Sequence, residues 1–278
     1  QEINWSKQLV QQVNAMNPKP RFIVICGDLL DAWPETNGLI RDKQEKDFKD
    51  VFSALDVPCV CVCGNHDIGN QPSIETVSRY RSSFGDDFFS FWCGGVYFLV
   101  INTQYYEDRS RVPIIAAEQD EWLVQQLLTI KKRKPEHAVV FQHIPFFLKH
   151  PDEEKEYFNF SLNLRHIMLD KLYEAGIRHV FAGHYHRNAG GFYKDMQLVV
   201  TSAVGAQLGD NQQGYRVVKV TKSWLNHEYH TLSSMTVTIP PFISRNILRD
   251  VLMKNDGGNR DEEPAIYNPI AVRQLKAA

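Results

Sequence analysis

Four short stretches hold side chains able to bind a cation or move a proton: Gly27-Asp28, Gly64-Asn65-His66-Asp67, His143-Ile144-Pro145 and Gly183-His184-Tyr185-His186. Each follows directly on an apolar run, "RFIVIC", "VPCVCVC", "HAVVFQ" and "IRHVFA" in turn. Carboxylate, carboxamide and imidazole groups together are the ligand inventory of a divalent-metal site. Asp28, Asn65, His66, Asp67, His143, His184 and His186 are therefore the candidate site residues. The glycines at 27, 64 and 183 permit a sharp backbone turn that aims the following side chain inward.

Taken singly, each stretch has an ordinary explanation. An Asp after a strand can start a turn, and a lone His is more often a satisfied core or surface residue than a ligand. Their joint occurrence at the ends of four apolar runs is what carries weight. In a parallel α/β sheet the C-terminal strand ends form one edge, where ligands bind. The segments between the runs have helical patterning: "INWSKQLVQQVNAMN", "RDKQEKDFKDVFSALD", "SIETVSRYRSSF", "AAEQDEWLVQQLLTIKKR" and "LNLRHIMLDKLYEAG". "FFSFWCGGVYFLVINT" reads as two strands joined at Gly94-Gly95. After Gly191, "MQLVVTSA", "YRVVKV" and "WLNHEYH" are strand runs with no helix between them. The expectation is an α/β fold with one or two mixed sheets.

Composition limits the setting. The 278 residues carry a formal net charge of -2, which gives no pull toward nucleic acid or an anionic membrane. The apolar runs are strand-sized and fall short of the ~18 residues that span a bilayer. Five cysteines are an odd number, and three crowd into "CVCVC". On a strand Cys59, Cys61 and Cys63 share one face, open to reading as a thiolate metal site or as small apolar fill in a buried strand; the second is expected. Free thiols without a visible leader point to a reducing, cytoplasmic setting. Two Asn-x-Ser sequons, at 4–6 and 159–161, are read as chance.

"GDLLD", "GNHD", "HIP" and "GHYHR", in that order with strand–helix spacing between them, resemble the calcineurin-like metallophosphoesterases over roughly residues 1–230. The resemblance implies a four-layer αββα sandwich of two mixed sheets with two divalent cations (Mn, Fe, Zn or Mg) at the strand ends. It implies that Asp28 bridges the metals, that Asn65, His143 and His184 complete one site, and that His186 belongs to the other. His66, oriented by Asp67, would act near the leaving group. The implied activity is that of a phosphomonoesterase of the protein serine/threonine phosphatase class, in which a metal-bound hydroxide attacks phosphate in line. Two metals ~3.5–4 Å apart suit such a displacement and lower the pKa of a bound water toward ~7. The expected partner is a phosphoprotein.

Two departures from the family pattern stand out. An Asp followed two residues later by His or Gln is expected on a first strand, yet the first Asp of the chain is Asp28. The Asp-x-Gln matches, Asp195-Met196-Gln197 and Asp210-Asn211-Gln212, fall after "GHYH". One metal site is therefore expected to be incomplete and the first strand to be missing. A phosphodiesterase, or a scaffold module impaired in catalysis, remains the alternative. Secondly, Ala32 stands where the core protein phosphatases carry an Arg for gripping phosphate. Arg187 is a candidate substitute, or a solvated charge. Trp33, Tyr105 and Tyr106 are read as groove-lining or core aromatics, and "HPDEEKE" at 150–156 as a solvated acidic loop. From about residue 231, prolines, paired glycines and charges predict a largely disordered tail to 278, with one amphipathic turn at Ile247, Leu248, Val251 and Leu252.

Overall fold

The structure is a computed structural model that describes residues 2–210 and 212–232. Three sheets are present among these residues. Strands β1 (Ile23–Ile25) and β2 (Cys59–Cys61) form a parallel pair. A six-stranded mixed sheet has the order β3-β4-β5-β6-β8-β7, from β3 (Phe89–Cys93), β4 (Val96–Val100), β5 (Ala138–Phe141), β6 (His179–Ala182), β7 (Ala189–Tyr193) and β8 (Met196–Val200). An antiparallel hairpin, β9 (Gly214–Val220) and β10 (Leu225–Thr231), makes the third.

Alternation along each strand sorts side chains into two interiors. In β2 and the residues after it, Cys59, Cys61 and Cys63 face a helical layer of α1 (Glu2–Ala15), α2 (Gly38–Phe52) and α4 (Ile74–Phe84). Val60 and Val62 face the opposite way, against Phe91, Phe98, Val139, Phe141 and Phe181 of the large sheet. Phe22 from the β1 approach meets Phe91 and Phe98 edge-on, at ring separations of 5.2 and 5.1 Å. Val220 and Leu225 of the β9–β10 hairpin join the same inter-sheet core. On the far side of the large sheet, α6 (Pro113–Arg133) and α7 (Leu162–Ala175) bury Leu123, Leu127, Leu169 and Leu172. The layers run helix, sheet, sheet, helix, as the resemblance implies, but among the described residues only the six-stranded sheet is mixed, where two mixed sheets are expected. Full burial of each such side chain contributes ~1.5–3 kcal/mol.

Local signals account for most boundaries. Gly94 and Gly95 both take positive φ, 59° and 79°, in a two-residue turn that joins β3 to β4. Ser73 and Thr76 exchange side-chain and backbone hydrogen bonds at the start of α4. Gly176, at φ 105°, ends α7 as its sequence suggests. Pro113 opens α6 earlier than the apolar pattern indicates, because proline fits a first helical turn. Two short helices, α3 (Asn65–Ile68) and α5 (Gln104–Glu107), and the edge strand β7 are additions to the sequence-based picture.

The free cysteines at 59, 61 and 63 are core. Burial pushes the Cys63 thiol well above its ordinary range. Residue Leu232, just past β10, is buried, and its carbonyl accepts hydrogen bonds from Gln8 and Gln12 on α1. Leu232 is the last described residue. The tail expected beyond it, with its amphipathic turn at 247–252, lies outside the described residues.

Candidate metal centre

The four motif-bearing strand ends come from two different sheets, β1 and β2 from one, β5 and β6 from the other, and they meet at one edge. Asp28, His143 and His184 place one ligand atom each within 4.8 Å of one another. The Asp28 Oδ2 is 3.3 Å from His143 Nε2 and 4.0 Å from His186 Nε2. Asn65 Oδ1 is 2.9 Å from His143 Nε2. Asn65 and His143 are each 1 % exposed, so this is an interior site and not a surface cluster.

The imidazoles share a design. His143 Nδ1 donates to the Cys26 carbonyl at 2.7 Å, His184 Nε2 to the Tyr157 carbonyl at 3.3 Å, and His186 Nδ1 to the Ala206 carbonyl. A carbonyl only accepts, so the bonded nitrogen carries a proton, and in the neutral ring the other nitrogen is the one that offers a lone pair. Metal-ligating histidines are ordinarily anchored in this way through the ring nitrogen that does not bind. Burial, followed by the neighbouring His143 charge, pulls His184 down to about 3, which keeps it neutral. Burial also opposes charge on His143, but the Asp28 carboxylate outweighs it and raises the pKa. Burial would raise Asp28 too, yet the charge and hydrogen bond of His143 hold it well below the carboxylate range. A carboxylate, an amide oxygen and two imidazoles converging in a buried space are a donor set that fits a divalent cation, which would displace the proton that Asp28 favours on His143.

The backbone is bent to achieve this. Asp28, His184 and His186 all take left-handed φ, at 53°, 65° and 54°. Non-glycine residues there are uncommon and concentrate at functional sites. The ligands themselves thus make turns that the sequence suggests their glycine neighbours make. Gly27 does take φ +90°. At Gly64 the requirement is close approach, because a Cβ would lie 2.3 Å from the Asp28 amide nitrogen.

His66 and Asp67 are placed differently from the expectation. The Asp67 carboxylate accepts the Leu29 N–H at 3.0 Å and the Gly64 N–H at 2.8 Å. It ties the Asp28 loop to the Asn65 turn and makes no bond to the His66 ring. Burial and then the Asp28 charge push Asp67 up to about 7. The His66 ring is oriented by its Nδ1–H donating to the Asp31 carbonyl at 2.6 Å and by Trp33, whose ring centroid is 4.2 Å away. The half-buried ring keeps Nε2 for chemistry. Its amide N–H donates to Asp28 Oδ1 at 2.9 Å, which fixes it beside the cluster.

Of the other residues singled out by sequence, Tyr105 is fully buried and donates to Asp87, so it is core. Arg187 lies over the Tyr185 ring at 5.0 Å. Asp195 precedes β8, the end of that parallel strand opposite the metal edge, and pairs with Arg178 at 3.0 Å. The "HPDEEKE" loop is ordered, because Glu153 accepts the N–H groups of Leu148, Lys149 and His150. Two residues escaped the sequence reading. Arg41, 3 % exposed on α2, donates to the carbonyls of Ala32, His66 and Asp67. Tyr157 reaches Asn65 with its hydroxyl. An isolated Arg in a charged helix and a Tyr in a polar loop carry no pattern that would reveal either.

A family profile described as calcineurin-like phosphoesterase matches residues 6–188. The chain is 48% identical over 238 residues to a Mus musculus protein named serine/threonine-protein phosphatase CPPED1, covering 85% of this chain and 76% of that protein. A solved structure described as a dimetal phosphatase from Danio rerio aligns with TM-score 0.60 at 14% identity, over 83% of this chain and 86% of that one. Another, described as GAP50, the anchor in the inner membrane complex of Plasmodium, aligns with TM-score 0.62 at 16% identity, over 85% and 82% of the two chains. At such identities the two structures speak for the fold alone.

Proposed function

Because the chain belongs to the calcineurin-like phosphoesterases, we propose that it is a metal-dependent phosphomonoesterase acting on phosphoserine or phosphothreonine in proteins. The observation that carries this reading is the buried convergence of Asp28, His143 and His184, with Asn65 Oδ1 beside them. The name borne by the 48%-identical mouse protein supports the phosphoprotein substrate. Asp28, Asn65, His143 and His184 would hold one cation, and His186, through Asp28, would face a second.

When bound, divalent cations there polarise the phosphoryl group and make a water acidic enough to react near neutrality. The chain's own contribution is positional and protonic. Asp28 supplies negative charge between the His143 and His186 rings, whereas Asn65 adds a neutral oxygen, which leaves net positive charge for a phosphate dianion. His66 donates its Nδ1–H to the Asp31 carbonyl, and with the ring as imidazolium the Nε2–H would be the proton passed to the departing ester oxygen, leaving the neutral ring. Trp33 against the ring restricts its rotation. No covalent phospho-enzyme is required.

A phosphoserine peptide and bis(p-nitrophenyl) phosphate, assayed side by side with Mn²⁺, test the reading. Faster release of phosphate from the peptide is expected. Turnover of the diester alone would favour a phosphodiesterase of the same family instead. No turnover of either, with Mn²⁺ bound, would favour a scaffold.

A further inference from the structure

Tyr157 sits on a loop between β5 and α7 that is built with unusual care. Beyond the three backbone amides held by Glu153, Asn159 Nδ2 donates to Glu153 Oε1 at 2.7 Å, and Glu156 N donates to Asn159 Oδ1 at 2.7 Å. Arg165, fully buried on α7, donates to the carbonyls of Pro151, Glu153 and Phe160. Lys155 pairs with Glu107 of α5 at 2.9 Å. This scaffold fixes a residue that leaves 57 % of its own surface exposed. What Tyr157 touches explains the expense.

Its phenol oxygen accepts the Asn65 Nδ2–H at 3.2 Å, and its main-chain carbonyl accepts the His184 Nε2–H at 3.3 Å. Its ring lies 5.1 Å from the His184 ring. One residue therefore contacts two candidate ligands by three routes. An amide binds a cation through oxygen, which leaves its NH₂ in need of an acceptor. Asn65 is 1 % exposed, so water is a poor substitute for the phenol. The carbonyl contact fixes the lone pair of His184 on Nδ1.

We propose that Tyr157 is a positioning residue for the metal centre, holding Asn65 with its hydroxyl and His184 with its carbonyl so that both offer a lone pair to one cation. This rests on the metal-dependent function proposed above. The hydroxyl and carbonyl roles separate experimentally, because Tyr157→Phe removes only the first.

Calorimetric titration of the metal-stripped chain with Mn²⁺ alone, for the wild type and Tyr157→Phe, tests it without recourse to turnover. Loss of an outer hydrogen-bond partner typically weakens metal affinity ~10–100-fold. The variant should fall in that range while its melting temperature in EDTA drops by no more than roughly 2–4 °C, the modest cost of one buried donor left unpaired. A side-chain amide NMR signal for Asn65 that is sharp in the wild type and broadened in Tyr157→Phe is the second expected result. Wild-type affinity in Tyr157→Phe would overturn the hold of the hydroxyl on Asn65 and leave the functional reading standing. A wild-type chain that takes up no divalent cation would overturn both.

Discussion

At the scale of single residues, the site works by assigning every polar atom one task. His143, His184, His186 and His66 each tie one ring nitrogen to a main-chain carbonyl, so their free nitrogens are fixed by backbone geometry rather than by chance rotamers. His66 is the one outside the ligand cluster, and it is the candidate acid. His66→Ala should lower kcat by ~10²–10⁴-fold, the usual span for a general acid. Mn²⁺ affinity, measured by titration, should stay within ~3-fold of wild type, since no ligand is removed. Asn65→Ala should do the reverse first, weakening Mn²⁺ binding before any limit on kcat is seen. The sequence shows these side chains, but not that Asp31 rather than Asp67 orients His66. That choice depends on Asp67 being taken up by the Leu29 and Gly64 amides.

At the scale of elements, the centre exists because two sheets bring their strand ends within contact distance. Gly64 against Asp28, and Gly27 against the His143 ring, mark how close that approach is. Gly64→Ala would set a methyl 2.4 Å from Asp28 Oδ1, so metal binding should be lost along with ~1–3 kcal/mol of stability in urea unfolding. Arg41 joins the same loops from behind. Arg41→Met leaves three carbonyls without their donor and should cost about 2 kcal/mol or more, with a lowered melting temperature. The strands, helices and their order were legible because periodicity 2 and 3.6 alternate cleanly from "RFIVIC" to "IRHVFA". Strand β7 was not, since "AGGFY" has two glycines and pairs only by lying along β8. The left-handed turns at Asp28, His184 and His186 were also hidden, because φ is set by tertiary demand and not by residue type alone.

At the scale of the whole molecule, the far end of the inter-sheet space carries a second electrostatic feature. Burial, then the charges of His137 and His227, pulls His179 down to about 4. Its unfolded value is ~6.5, so the unfolded chain binds more protons between those limits. The stability contribution is therefore complete above ~6.5 and lost as pH falls toward about 4. His179→Leu should reduce the shift in urea midpoint between pH 7 and pH 5. Among the described residues no helix is long and apolar enough to cross a membrane. Binding of a cation to the folded state alone should raise stability by ~2.7 kcal/mol at a hundredfold excess over Kd, so EDTA should lower the melting temperature. The most direct test of the central claim is hydrolysis of p-nitrophenyl phosphate by the EDTA-stripped chain across a Mn²⁺ titration. The expected rate rises from background, saturates, and collapses in His66→Ala. A rate that ignores Mn²⁺, or is untouched by loss of His66, would contradict the account.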